Sequence, residues 1–307
     1  MKILAIVGPT AVGKTAIAVK LARLIQGEII SADSRQIYKH LDIGTAKPDA
    51  RQRKRAKFHL IDFVEPGDDY SCGQFARDAG AKIEAITKGS KVPIVCGGTG
   101  LYIKALFHPL DELPRSGRET KKRLRTMLEE HGTGYLYKRL SVIDPQWARQ
   151  IKPQDTQRIL RGLEVYETTG KPLSKMLGKA KRRARFSPLY IGLNIPREIL
   201  YARIDQRFDE MLKQGLVREA ESLLARGLDP SSNALRTIGY KEIIDFLRGR
   251  STLEQAAEKA KRRTRNYAKR QLTWFKKLPD IHWHNPQDPG IVQTIAEHFD
   301  RNRIGLP

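Results

Sequence analysis

The octet Gly8-Pro9-Thr10-Ala11-Val12-Gly13-Lys14-Thr15 constrains this chain more than any other stretch. It fits the pattern G-x-x-x-x-G-K-[ST] in full, and its flanks are those the pattern requires. Before it, the apolar run Lys2-Ile3-Leu4-Ala5-Ile6-Val7 predicts a buried strand. After it, Ile17, Leu21 and Leu24 recur at helical spacing between Thr15 and Leu24. Strand, glycine loop and helix together form a nest of backbone N–H groups aimed at an anion and backed by a helix N-terminus. Lys14 is expected to neutralise phosphate charge, and the Thr15 hydroxyl to ligate Mg²⁺. A mere glycine turn between strand and helix has no need of the Lys-Thr pair. The octet therefore predicts a site for a di- or triphosphate.

Charge bears on what else that site serves. Fifty-seven Lys and Arg stand against 34 Asp and Glu, a formal net charge of +23 on 307 residues. A small-metabolite enzyme does not need that excess. A polyanionic partner accounts for it, with a basic solubility surface as the plainer alternative. Hydrophobic residues at 40% and charged residues at 30% fit a globular protein with a substantial core. Two cysteines, Cys72 and Cys96, make neither a disulfide framework nor a Cys-rich zinc site, and Cys96 reads as an inert buried thiol. No leader pattern precedes the first strand, and no apolar run approaches the ~18 residues of a membrane span. The expectation is a cytoplasmic monomer without membrane partners.

Short apolar runs alternate with helical patterns. Strands are predicted at 28–32, 59–61, 92–96, 189–193 and 281–283, most of them apolar on both faces, which indicates a parallel sheet covered by helices. Ligands of such sheets bind at the carboxyl ends of the strands, where Gly8, Asp33 and Gly97 all fall. The middle of the chain changes character, with helical stretches at 119–131, 135–142 and 154–168 and no strand. The fold class is thus α/β, a P-loop parallel sheet core with an inserted helical domain. The boundaries read 1–111 for the first part of the core, 112–185 for the insertion, and 186–307 for core completion and basic C-terminal helices. One helix is expected from Leu200 to Arg226, stopped at Gly227. Lys259 to Lys277 holds nine Lys or Arg and no acid, with Tyr267, Ala268, Leu272 and Phe275 as its buried face. Such a helix repels itself unless something anionic neutralises it. Together with the run Lys179 to Arg185 it favours nucleic acid over a merely solvated face.

Downstream of the octet come Ser31-Ala32-Asp33-Ser34-Arg35-Gln36-Ile37-Tyr38 and Asp42-Ile43-Gly44-Thr45-Ala46-Lys47-Pro48. An aspartate at a strand end beside a phosphate loop can hold Mg²⁺ through water, act as a general base, or cap the next helix. Spacing alone leaves all three open.

These segments resemble the tRNA dimethylallyltransferases, also called tRNA isopentenyltransferases. The likeness continues through His59-Leu60-Ile61-Asp62, Gly97-Gly98-Thr99-Gly100-Leu101-Tyr102, the run from Asp155 to Tyr166, Ile238-Gly239-Tyr240-Lys241-Glu242, and Tyr267 to Phe275. The motifs span nearly the whole chain in order. Phe58 and Lys39-His40 depart from the family's usual residues, and neither touches a position assigned to chemistry. The zinc-finger extension of eukaryotic relatives is missing, which suggests the bacterial type.

The resemblance implies transfer of a dimethylallyl group from dimethylallyl diphosphate to N6 of adenosine 37, in tRNAs reading codons that begin with U. It implies that Gly8, Pro9, Thr10, Ala11, Val12, Gly13, Lys14 and Thr15 surround the donor and that Asp33 is the base. It also implies tRNA contacts at Asp33, Ser34, Arg35, Gln36, Thr99, Gln157, Arg158, Ile159, Leu160 and Arg161, and more loosely at Lys121. Arg203 and Arg207 read as lid arginines on the diphosphate or equally as surface charges. Arg236 and Tyr240 are weaker RNA candidates. The insertion is expected to clamp the anticodon stem-loop. The rival readings are a P-loop small-molecule kinase and a non-catalytic RNA-binding NTPase.

Overall fold

A computed structural model of the chain describes residues 1–108, 111, 113–178 and 184–304. Two compact units emerge, one from residues 1–108 with the chain from 184 onward, the other from 109 to 183.

The first unit is built on six parallel strands: β1 (Lys2–Val7), β2 (Gly27–Ser31), β3 (Phe58–His59), β4 (Val92–Gly97), β5 (Ser187–Leu193) and β6 (His282–His284), in the order β3-β2-β4-β1-β5-β6. Side chains alternate between faces. Leu4, Ile6, Ile29, Ile94, Leu189 and Ile191 pack on one side, whereas Ile3, Ala5, Val7, Ile30, Val95 and Tyr190 pack on the other. The first face is covered by α1 (Lys14–Leu24) and α12 (Ile291–Ile304). The second is covered by α3 (Cys72–Lys88) and α4 (Gly100–Phe107), whereas the short α2 (Ala50–Arg55) buries no side chain. β3 is shorter than expected and displaced, because Leu60 and Asp62 adopt left-handed backbone (φ 60° and 58°) and turn the chain out of the sheet. β6 begins one residue later than its apolar pattern suggests.

The second unit contains α5 (Arg118–Ile143), α6 (Pro145–Gln150), α7 (Thr156–Thr169) and a 3₁₀ turn at Leu173–Lys175. Gly132 is non-helical (φ 76°, ψ 173°) and kinks α5 between the two predicted stretches. Leu124, Leu136, Leu140, Ala148, Ile151, Ile159 and Leu163 form the core of this unit.

Back in the first unit, the single helix expected from Leu200 to Arg226 is two. Gly215, at φ 103°, ends α8 (Arg197–Gln214) and starts α9 (Leu216–Ala225). The apolar stripe continues across the break, which is why periodicity hid it. α10 (Tyr240–Leu247) and α11 (Leu253–Phe275) complete a third core around Tyr38, Leu216 and Ile243. The cations of α11 are largely neutralised by the protein itself. Lys259 meets Asp245 at 3.5 Å, Lys261 meets Asp209 at 2.7 Å, Arg265 meets Asp205 at 2.6 Å, and Arg263 pairs with the fully buried Glu242. These four cations need no external anion, since α8 and α10 supply the carboxylates, and the inference from charge is narrowed to the rest of the run. Of the other basic run, residues 179–183 lie outside the described residues, and Arg185 pairs with Glu84. No helix among the described residues is long and apolar enough to cross a membrane.

Candidate active site

The loops after β1, β2 and β4 meet at one end of the sheet. Gly8, at φ 150°, begins the first, and a Cβ there would lie 2.5 Å from the Leu193 carbonyl oxygen of β5. Left-handed Ala11 (φ 64°) and Gly13 (φ 103°) then turn the chain so that α1 opens at Lys14 without any side-chain cap. None of the N–H groups of residues 11–15 donates to an acceptor among the described residues, which is the pattern of an anion nest. The Thr10 amide departs from it, donating to Gln271 Oε1 at 2.9 Å. The Thr10 amide is thus committed to α11.

Lys14 Nζ donates to the carbonyls of Gly8 (3.0 Å) and Pro9 (2.6 Å). Burial pushes its ammonium down to about 8, against the attraction of the Asp33 carboxylate. Burial likewise raises the Cys96 thiol to about 12, so it is inert at neutral pH. Arg207 donates to Thr10 Oγ1 at 2.7 Å, and burial lowers its pKa against the pull of Asp33. The even choice left by the sequence resolves toward the cradle for Arg207. Arg203, one turn earlier on α8, makes no described contact with the loop.

Asp33 faces this cluster from the end of β2. Its Oδ1 accepts the N–H groups of Arg35 (2.8 Å) and Gln36 (3.4 Å), so it caps a turn, and no helix follows for it to cap. Its second oxygen has no partner among the described residues, and the carboxylate acts electrostatically on both Lys14 and Arg207. Capping and chemistry are thus compatible, one oxygen for each. Thr99 Oγ1 accepts the Ser34 amide at 3.0 Å and donates to the Ser34 hydroxyl at 3.3 Å, joining the loop after β4 to the one after β2.

Gln36 lacks the freedom expected of an RNA contact. Its Nε2 donates to the carbonyls of Thr45 (3.3 Å) and Ala46 (3.0 Å), and its Oε1 accepts from Ser31 (3.2 Å). Arg35 donates to the Asn233 carbonyl at 2.5 Å. Nearby, the nearly inaccessible Lys47 ammonium binds Asp62, Asp42 and the Tyr38 carbonyl, which fixes the loop of the Asp42–Pro48 motif. Glu219 accepts the N–H groups of Asp42, Ile43 and Gly44 from α9.

In the second unit, Gln157 and Arg158 are exposed on the first turn of α7, and Arg158 lies 3.6 Å from Asp155. Arg161 donates to the Pro114 carbonyl at 3.0 Å. Ile159 is fully buried and Leu160 half-buried against the same core. The expectation that Ile159 touches RNA is corrected to packing, since helical period turns that position inward. Lys121 lies half-buried in the first turn of α5.

Reasoning from sequence missed Gln271 and Glu219. Gln271 had a signal: a polar side chain on the buried face of α11, between Ala268 and Phe275. Thr15 follows Lys14 with a hydroxyl that makes no bond among the described residues. No group of three or more His, Cys, Asp or Glu among those residues could hold a metal ion. Thr15 therefore fits a Mg²⁺ that arrives with phosphate oxygens as its main ligands.

Comparison with known proteins accords with this geometry. Residues 36–278 match the profile of a family described as IPP transferase, and residues 1–62 match one described as isopentenyl transferase. A tRNA dimethylallyltransferase of Caldanaerobacter subterraneus is 43% identical over 304 residues, covering 97% of this chain and 96% of its own. One from a Thermoanaerobacter species is 45% identical, covering 99% and 98%. The crystal structure of a full-length tRNA isopentenylpyrophosphate transferase from Bacillus halodurans is 38% identical with a TM-score of 0.72, covering 98% of this chain and 95% of that one. A eukaryotic dimethylallyltransferase acting on tRNA gives a TM-score of 0.80 at 32% identity, covering 97% and 77%. A profile match over most of the length and close relatives end to end show that this chain belongs to the tRNA dimethylallyltransferase (IPP transferase) family.

Proposed function

We propose that the chain transfers a dimethylallyl group from dimethylallyl diphosphate to N6 of adenosine 37 in tRNAs that read codons beginning with U. The observation that carries this reading is an Asp33 oxygen with no partner among the described residues, within electrostatic reach of Lys14 and Arg207 at the phosphate loop. The exocyclic amine attacks the first carbon of the dimethylallyl group, the carbon–oxygen bond to diphosphate breaks, and the diphosphate leaves with the electron pair. Asp33 accepts the N6 proton, which offsets the poor nucleophilicity of an amine whose lone pair is delocalised into the ring. The amides of residues 11–15, Lys14 and Arg207 stabilise the charge that grows on the leaving diphosphate. Mg²⁺, held by Thr15, would add Lewis-acid stabilisation of that same charge. An adenine stacked in the anticodon loop has to be turned out to reach Asp33, and the helical unit of residues 109–183 is proposed as the clamp on the stem. Cytoplasmic location follows from that substrate.

The test is incubation with unmodified tRNA, Mg²⁺ and dimethylallyl diphosphate in the absence of nucleotide. The expected outcome is a prenyl mass increment on one adenosine of the anticodon loop. Transfer that requires ATP, or a phosphorylated small molecule as product, would replace this reading with the kinase.

A further inference from the structure

One face of α11 holds the donor and acceptor sides of the site together. Gln271 is 6% exposed, and both ends of its amide are in use. Oε1 accepts the Thr10 N–H at 2.9 Å, and Nε2 donates to the Gly98 carbonyl at 2.8 Å. One turn back, the Tyr267 hydroxyl lies close to Thr99. One turn on, Trp274 lies against Gly100, where a Cβ would meet its ring at 2.6 Å. The helix therefore meets Gly98, Thr99 and Gly100 in succession. Gly98 has no room for a side chain, because a Cβ would run into Gln271 Nε2. Thr99 in turn holds the Ser34 amide beside Asp33, and Thr10 carries the hydroxyl that receives Arg207. The loop after β1 and the loop after β4, which leave neighbouring strands at Val7 and Gly97, are thus bridged by one side chain. Their separation sets the distance between the leaving group and the base.

We infer that Gln271 is a positioning residue for the prenyl transfer, fixing the spacing of the donor cradle and Asp33 without touching either substrate. The inference rests on the function proposed above. Because both bonds are used, it acts as an amide, and neither a carboxylate nor a hydrocarbon replaces it. A carboxylate keeps the acceptor for Thr10 but sets a second acceptor against the Gly98 carbonyl. A protonated carboxyl restores the donor.

The experiment measures kcat and KM for Gln271→Leu, Gln271→Glu and Tyr267→Phe beside wild type, with melting temperatures, across pH. Gln271→Leu should lose roughly 10- to 100-fold in kcat, the range in which small misplacement of reacting groups falls, with either KM changed less than about threefold. Gln271→Glu should lose as much at high pH and recover relative to wild type as pH falls and the new carboxyl gains its proton. Tyr267→Phe, which removes one hydroxyl and no packing, should show a smaller loss confined to kcat. If Gln271→Leu does not fold, the pH-dependent recovery of Gln271→Glu and the kcat of Tyr267→Phe still decide. Unchanged kcat in the folded variants, or losses confined to KM or melting temperature without pH recovery, would overturn the inference. Wild type failing to prenylate tRNA would instead sink the parent function.

Discussion

At the scale of single residues, the site divides labour between atoms of one group. Asp33 uses one oxygen to hold the turn at Arg35 and Gln36 and keeps the other free. Asp33→Asn preserves the capping oxygen and removes proton acceptance. The expected result is a loss of ~10²–10⁴ in kcat, with tRNA affinity nearly unchanged and the melting temperature held. Near-normal turnover would reduce Asp33 to a turn cap. Lys14 sets a pH limit. Its buried ammonium loses its proton near 8 in the free enzyme, so the cation is present below that pH and absent above it. The kcat/KM for the diphosphate reports the free enzyme and should fall as pH rises through about 8. Lys14→Ala should flatten that limb while lowering kcat, because the charge it meets is greatest in the transition state. A wild-type profile with no such limb would show that the ammonium does not act on the donor.

At the scale of elements, α11 and the turn that follows it separate two uses of positive charge. Lys259, Lys261, Arg263 and Arg265 face carboxylates of α8 and α10, whereas Lys269, Lys276 and Lys277 are exposed and form no ion pair among the described residues. Arg263→Gln strands the buried Glu242, which keeps only the Gly239 amide, and should cost roughly 1–3 kcal/mol of stability. The salt dependence of tRNA binding should not move. Replacing Lys269, Lys276 and Lys277 together by Gln should do the reverse. The slope of log K against log salt should flatten by roughly 0.7–0.9 for each phosphate that is no longer neutralised, with stability near wild type. Thermal melts and binding titrations at several salt concentrations check both arms. A slope that responds to Arg263 and ignores the three lysines would place the RNA elsewhere.

At the scale of the molecule, what was legible follows from range. The octet at Gly8 signalled its loop because strand, glycine and helix are contiguous, and β1, β2, β4 and β5 showed as apolar runs buried on both faces. The break at Gly215 was not legible, because α8 and α9 keep one apolar stripe across it. Nor was the partnering of the α11 cations, because the acids that meet them lie 14 to 60 residues away and only folding brings them close. Gln271 was hidden for the same reason: its partners, Thr10 and Gly98, are 261 and 173 residues distant.

The seating of Gly8 on the Leu193 carbonyl has a consequence for biosynthesis. The octet is made well before its supports: the carbonyl beneath it, the guanidinium on Thr10 and the amide that grips it belong to residues 193, 207 and 271. β1 also waits for β5, its partner over six register positions, leaving one edge unpaired until β5 has been made. A nascent or truncated chain thus displays the motif without owning the site. A chain that stops short of α11 is therefore expected to bind prenyl diphosphate far more weakly than the whole one, because the supports of the cradle are not yet in it.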